Sequence, residues 1–155
     1  VVPRVCRCSV KTQMMPVRVQ SLICQARIFP RLEQDFLISA ILPTLKAVRS
    51  ADASPPVTMC LLGCYDELGD VLGPEHLARG ILPIILTMLY DVQLNSKQFE
   101  MVSNRVGSML YRVLVKRNQD YGLAPPDGSF LQPDQPLRVP EMQQQAEAPL
   151  QPSFA

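Results

Sequence analysis

Prolines preceded by aliphatic residues return every 40 residues in this chain, as Val1-Val2-Pro3, Ile41-Leu42-Pro43 and Ile81-Leu82-Pro83. A second register travels with them. Pro16-Val17 recurs as Pro56-Val57, and Leu22 and Cys24 recur as Leu62 and Cys64. A fixed period of this length, with two apolar segments per unit, describes a stack of helix pairs, each burying its apolar face against the next. The period narrows function before any single residue is weighed. Such stacks expose long surfaces to partners and seldom enclose a catalytic pocket.

The expected fold is therefore all-α, a solenoid of about three HEAT-type helix pairs with the first one truncated, followed by a disordered C-terminal tail. Composition agrees. Hydrophobic residues make up 47% of the 155 and aromatics 6%, with no tryptophan. A core of Leu, Ile, Val and Met suits helix-on-helix packing better than a β-sandwich. The chain opens at Val1 inside a repeat motif, which predicts a fragment of a longer protein that has lost most of its leading helix. The uncovered face of that first repeat is then expected to expose apolar surface and to favour self-association.

The 3–4 spacing of apolar residues places the other helices. Val19, Leu22, Ile23, Ala26 and Phe29 form one stripe behind Pro16. Phe36, Ala40, Ile41, Thr44, Leu45 and Val48 form the next, with Pro43 inside it. An interior proline removes a hydrogen bond and costs ~3 kcal/mol in an isolated helix, so its repetition predicts a built-in bend. Val57, Leu61, Cys64, Tyr65, Leu68 and Leu72 line the partner helix. Leu77, Ile81, Ile84, Ile85 and Met88 line the third leading helix, which Leu82, Leu86 and Leu89 make apolar almost all round. The last helix starts at Asn95, with Gln98 as capping-box partner. It turns Phe99, Val102, Val106, Met109, Leu110 and Val113 inward and closes at Lys116-Arg117.

The helical repeats are thus assigned to residues 1–117 and the tail or linker to 118–155. Seven prolines and six glutamines fall between Ala124 and Ala155, and no periodicity survives there. Such a segment buries too little apolar surface to offset its ordering entropy.

No apolar run approaches the length of a membrane span. Net charge is +1, and no clustered basic surface stands out, which argues against a nucleic-acid binder. Five cysteines without a visible secretory signal favour reduced thiols and an intracellular setting. Cys60 and Cys64 are four apart, and with Cys6 and Cys8 they would invite a metal site. Neither pair has knuckle spacing, so Cys64, like Cys24, reads as a small core residue and no metal ligand is assigned. His76 sits in a first helical turn with no nucleophile or paired carboxylate in its pattern, so no catalytic residue is assigned. Met88 and Met109 belong to core stripes, whereas Met59 and Met101 fall at the edges of theirs. Asp66, Glu67 and Asp70 on one second helix, with Arg105 and Arg112 on the next, are the candidate partner-binding residues. Their ordinary alternative is a solvated surface.

Val17-Arg18-Val19 with Leu22-Ile23-Cys24, Leu94-Asn95 with Gln98-Phe99, and Met109-Leu110 with Arg112 resemble the HEAT region of the SCY-like pseudokinases, in particular their coated-vesicle-associated branch. The resemblance covers about residues 1–117. It implies a parent with an N-terminal kinase-like domain, a central solenoid and a flexible C-terminal region, working in clathrin-linked traffic between the trans-Golgi network and endosomes. This chain has no Gly-rich phosphate loop, His-Arg-Asp or Asp-Phe-Gly motif, so any ATP belongs to an upstream kinase-like domain and no cofactor is assigned here. It also lacks an acidic-leucine clathrin box and the Asn-Pro-Phe and Asp-Pro-Phe adaptor motifs. The expected role is a non-catalytic scaffold that engages proteins, clathrin and adaptor machinery among them through the parent, on the cytoplasmic side of Golgi or endosomal coated vesicles. Peripheral association with a membrane is compatible with this. The alternatives are a HEAT adaptor of another pathway, or the solenoid part of an active ATP-binding kinase.

Overall fold

The computed structural model describes residues 1–128, and every regular element among them is helical. α1 (Val2–Lys11) and α2 (Met15–Ile28) form the first pair, and a 3-10 turn, Phe29–Arg31, extends the second of them. α3 runs over 34–51 and α4 over Pro55–Leu72. α5 runs over 74–88 and α6 over Ser96–Asp120. α1, α3 and α5 form one layer, and α2, α4 and α6 form the other. α2 packs on α4 and α4 on α6, while α1 packs on α3. This is the all-α solenoid of three helix pairs that the 40-residue period predicts. The first pair keeps a leading helix of ten residues, shorter than its counterparts.

The bend expected at the interior prolines takes the form of a wide π-turn, at the same register in two repeats. Leu37–Ile41 and Leu77–Ile81 each hold a turn in which the N–H of Leu42 or Leu82 reaches back five residues, to the carbonyl of Leu37 or Leu77. A proline ring in an α-helix collides with the carbonyl four residues back. The widened turn makes room for Pro43 and Pro83 where they enter the following α-segments, Leu42–Ala51 and Leu82–Met88. The Thr44 hydroxyl donates to the Ala40 carbonyl at 2.7 Å and so occupies an acceptor within that turn.

Local signals set the other ends. Proline lies in the first turn of α2, α4 and α5, where its missing N–H is no loss. Asn95 and Gln98 form the predicted capping box, with bonds of 2.9 and 3.0 Å. α4 stops at Gly73, whose φ of +87° only glycine adopts easily. α6 ends three residues beyond the predicted Lys116-Arg117. Gly122 adopts φ +66°, its N–H bonds the Gln119 carbonyl and the N–H of Leu123 bonds the Asn118 carbonyl, a Schellman closure. The predicted tail thus begins inside a helix. Most of it, from residue 129 onward, lies outside the described residues.

The core runs between the two layers. Phe29, Leu45, Leu61, Tyr65, Leu68 and Ile85 are wholly buried within it. Each large aliphatic side chain withdrawn from water contributes about 1.5–3 kcal/mol. All six residues predicted to line α4 are buried, and so are Met88 and Met109. Three predictions need correction. Phe99 and Leu86 are each 47% exposed, because no helix pair covers the far side of α5–α6 among the described residues. On α2 the positions that go under are Arg18, Ser21, Leu22, Gln25 and Phe29, so much of the buried face is polar. Val19, Ile23 and Ala26 stay half-buried beside α4.

Two glycines of α4 differ in what surrounds them. A Cβ on Gly69 would lie 2.7 Å from Leu77 Cδ1, because the start of α5 crosses there, whereas a Cβ on Gly63 would meet nothing within 4 Å. Gly63→Ala should therefore raise stability by up to about 1 kcal/mol through helix propensity. Gly69→Ala should gain nothing and lose up to about 2 kcal/mol to overpacking. Urea unfolding of the two variants checks the opposite signs.

Candidate interaction surface

Four of the five candidate partner-binding residues are brought together by the stacking of α6 on α4, and they bind one another. Asp66 Oδ2 accepts from Arg105 at 2.5 Å and Asp66 Oδ1 from Arg112 at 2.8 Å. Arg112 also pairs with Asp70. Asp66 is the hub, its side chain only 19% exposed, whereas Arg105 remains 54% exposed. Neither the docking reading nor the solvated-surface reading of these residues included this pairing. Glu67 stands apart. It faces a groove of about 570 Å³ between α2 and α4, lined by Val19, Ile23, Ala26, Met59, Cys60 and Gly63, with Arg27 on its rim.

A second set of charges ties the repeats together. Arg18, on α2, donates through Nε to the Ser9 carbonyl at 3.0 Å, and its other nitrogens reach the Thr12 carbonyl and the carboxylate of Asp52. Arg49, on α3, donates to Thr58 Oγ1 at 2.7 Å and to Asp91 Oδ1 at 2.6 Å. The two centres are related by the period. Ser9 and Arg18 occupy the positions of Arg49 and Thr58, so the arginine has changed helices while the reach to an aspartate in the following repeat is kept. Beside Arg18, Gln25 donates to Ser9 Oγ at 3.1 Å and accepts from Cys6 Sγ at 3.6 Å, which extends a buried polar seam between α1 and α2. The sequence signal for this seam was available. Arg18, Ser21 and Gln25 follow helical spacing, as apolar stripes do.

Asp52 is held below the ordinary carboxylate range by the Ser54 hydroxyl first, then by the Ser54 N–H at 2.9 Å and by Arg18, with burial opposing. The Cys60 and Cys64 thiols serve packing, whereas Cys24, read from the period as a core residue, is exposed. Cys60 donates to the Val19 carbonyl at 3.8 Å and Cys64 to the Leu22 carbonyl at 3.6 Å, stitching α4 to α2. The Cys64 pKa is pushed up by the neighbouring Cys60 thiol and by burial, and the Cys6 pKa is pushed up by burial. Both therefore stay protonated donors. Among the described residues, no three His, Cys, Asp or Glu side chains converge on a common point. His76 is half-buried in the first turn of α5.

Two stability measurements follow. Asp52→Asn should cost about 2 kcal/mol at neutral pH, since it leaves Arg18 short of its charged partner. A depressed native pKa stabilises above the unfolded value and is lost as pH falls through the native one. The gap between wild type and Asp52→Asn should thus be constant above pH ~5 and close below ~4, the unperturbed Asp range. In the outer network, Asp66→Ala should cost more than Arg105→Ala, which removes one exposed pair and less than about 1 kcal/mol. Equal costs in thermal unfolding would show that Asp66 is no hub.

The comparisons with known proteins bear on this helical stack as a whole. No protein-family model matches the chain, and no solved structure does. The chain is 31% identical over 118 residues to SCY1-like protein 2 of Homo sapiens, and equally to SCY1-like protein 2 of Mus musculus. The alignment covers 72% of this chain and 12% of the length of each relative. The chain belongs to the SCY1-like protein family.

Proposed function

We propose that this chain is a non-catalytic interaction segment, built as HEAT-type repeats, of a SCY1-like pseudokinase that works in clathrin-linked vesicle traffic between the trans-Golgi network and endosomes. The observation that carries the reading is the 31% identity to SCY1-like protein 2. The architecture supports it. The described residues form a packed helical stack with open grooves along its surface, the setting in which solenoids bind partners rather than process substrates. ATP, where it acts, belongs to a kinase-like domain of the parent. The contacts with clathrin or adaptor machinery run through the parent as a whole, on its cytoplasmic side, at Golgi or endosomal vesicles. Among the described residues, no helix is long and apolar enough to cross a membrane, so attachment by this segment would be peripheral.

The network of Asp66, Asp70, Arg105 and Arg112 braces the surface on which a partner would dock, and Glu67 with the α2–α4 groove is the part of that surface open to contact. The test expresses the tagged parent protein in cells and isolates coated vesicles. The expected result is enrichment of the parent with clathrin and its adaptors, reduced by Glu67→Lys in this segment, while the isolated chain carrying Glu67→Lys keeps its helical circular dichroism. A folded parent absent from those vesicles would overturn the reading and favour an adaptor of another pathway.

A further inference from the structure

Residues 1–32 hold Arg4, Arg7, Lys11, Arg18, Arg27 and Arg31 and not one Asp or Glu, although the chain as a whole is close to neutral. Arg18 is neutralised by Asp52. The other five form no ion pair among the described residues, whereas seven Lys and Arg side chains of those residues do. Unpaired cations are thus gathered on the first helix pair. Apolar side chains are exposed in the same place. Met14 is 64% exposed, Met15 41% and Val17 37%, all at the turn where α1 passes into α2. Behind them, the outer side of the pair opens into a groove of about 580 Å³, lined by Arg4, Val5, Cys8, Val17 and Cys24.

The period shows what this face is and what it lacks. Val5, Cys8, Val17 and Cys24 stand 40 residues before Leu45, Val48, Val57 and Cys64, all buried beneath the preceding helix pair. A further helix pair is therefore the first occupant to consider, and three differences count against it. Asp52, which receives Arg18 from the preceding pair, is replaced at the equivalent position by Thr12. The hydroxyl and carbonyl of Thr12 are both taken up within its own pair, by the Met14 N–H and by Arg18. Cys60 and Leu61 are replaced by the polar Gln20 and Ser21. Where a stacking face carries a carboxylate, this one carries cations that have no partner.

We propose that the outer face of α1–α2 docks on a membrane surface rich in anionic lipid. Arg4, Arg7 and Lys11 lie against phosphate and carboxylate headgroups. Met14, Met15 and Val17 enter the interfacial layer. Exposed apolar side chains beside basic ones, with no anion among them, are what an anionic bilayer surface attracts. The inference stands apart from the trafficking reading, since a coat could recruit the chain by protein contacts alone, and lipid binding could hold for a protein of another pathway.

The experiment sediments the full chain with phosphatidylcholine vesicles, with and without phosphatidylserine. Binding to the phosphatidylserine vesicles alone is expected, and it should weaken steeply as salt shortens the screening length. Arg4→Gln/Arg7→Gln/Lys11→Gln should lower vesicle affinity by about a hundredfold, at roughly fivefold per cation. Lys46→Gln/Lys97→Gln, which removes the other unpaired cations among the described residues, should leave it unchanged. Met14→Ser/Met15→Ser should reduce binding at constant charge, and circular dichroism should show every variant still helical. Equal binding to neutral vesicles, or an equal loss with Lys46→Gln/Lys97→Gln, overturns the proposal. So does concentration-dependent dimerisation without lipid that buries Cys8 and Cys24 against thiol alkylation, which would assign the face to a second copy.

Discussion

Leu45, Val48, Val57 and Leu61 are wholly buried only because another helix pair lies across them. A pair of helices has two apolar faces and covers one of them itself, so the second must be supplied by a neighbour. Everything else in the structure answers to that dependence. α2 lies on α4 through Val19, Leu22 and Ala26, and the Cys60 and Cys64 thiols donate across the same seam to α2 carbonyls. α4 then carries α6 by a different means, a charge network centred on Asp66. The α2–α4 contact is thus apolar and thiol-lined, whereas the α4–α6 side adds an outer ionic network to buried Val102 and Met109, and each junction also carries one arginine–aspartate tie, Arg18 to Asp52 and Arg49 to Asp91.

The architecture was legible in the sequence because a repeat writes its own alignment. Three proline motifs at equal spacing located the leading helices, and the apolar stripe of α4 was read without error, since both of its flanks are covered. The misreadings concentrate where that symmetry stops. Phe99 and Leu86 sit on correct helical stripes but in the last pair among the described residues, and periodicity carries no information about what lies against its far side. α2 misled for a different reason. Leu22 and Phe29 of its apolar stripe are buried as read, but Val19, Ile23 and Ala26 face a groove, while Arg18, Ser21 and Gln25 are buried in the hydrogen-bonded seam with α1.

The candidate site was legible in part. Asp66, Asp70, Arg105 and Arg112 stood out as charges on successive second helices, and that placement was correct. Their pairing depended on the rotation of α6 about its axis, which the sequence does not specify. Arg49 and Asp91, 42 residues apart, drew no attention because neither lies in a charge run. Inter-repeat ties of this kind become visible only when equivalent positions are compared, where Ser9 and Arg18 answer to Arg49 and Thr58.

The repeated wide turns have a consequence for how such a chain can vary. In α3 the buried positions fall at 37, 41, 45 and 48, and in α5 at 77, 81, 85 and 88, with Leu82 buried beside Ile81. Four-residue steps along a regular α-helix drift by about 40° each, which would carry the later residues off the core line. A five-residue hydrogen-bonded turn offsets that drift, so it behaves as a single-residue insertion absorbed where it occurs. Each leading helix can therefore carry an interior proline and still present one straight seam to the pair beneath it. Loss of one residue between Phe36 and Pro43 would close the turn to a regular helix, at the point where the proline ring needs the extra width.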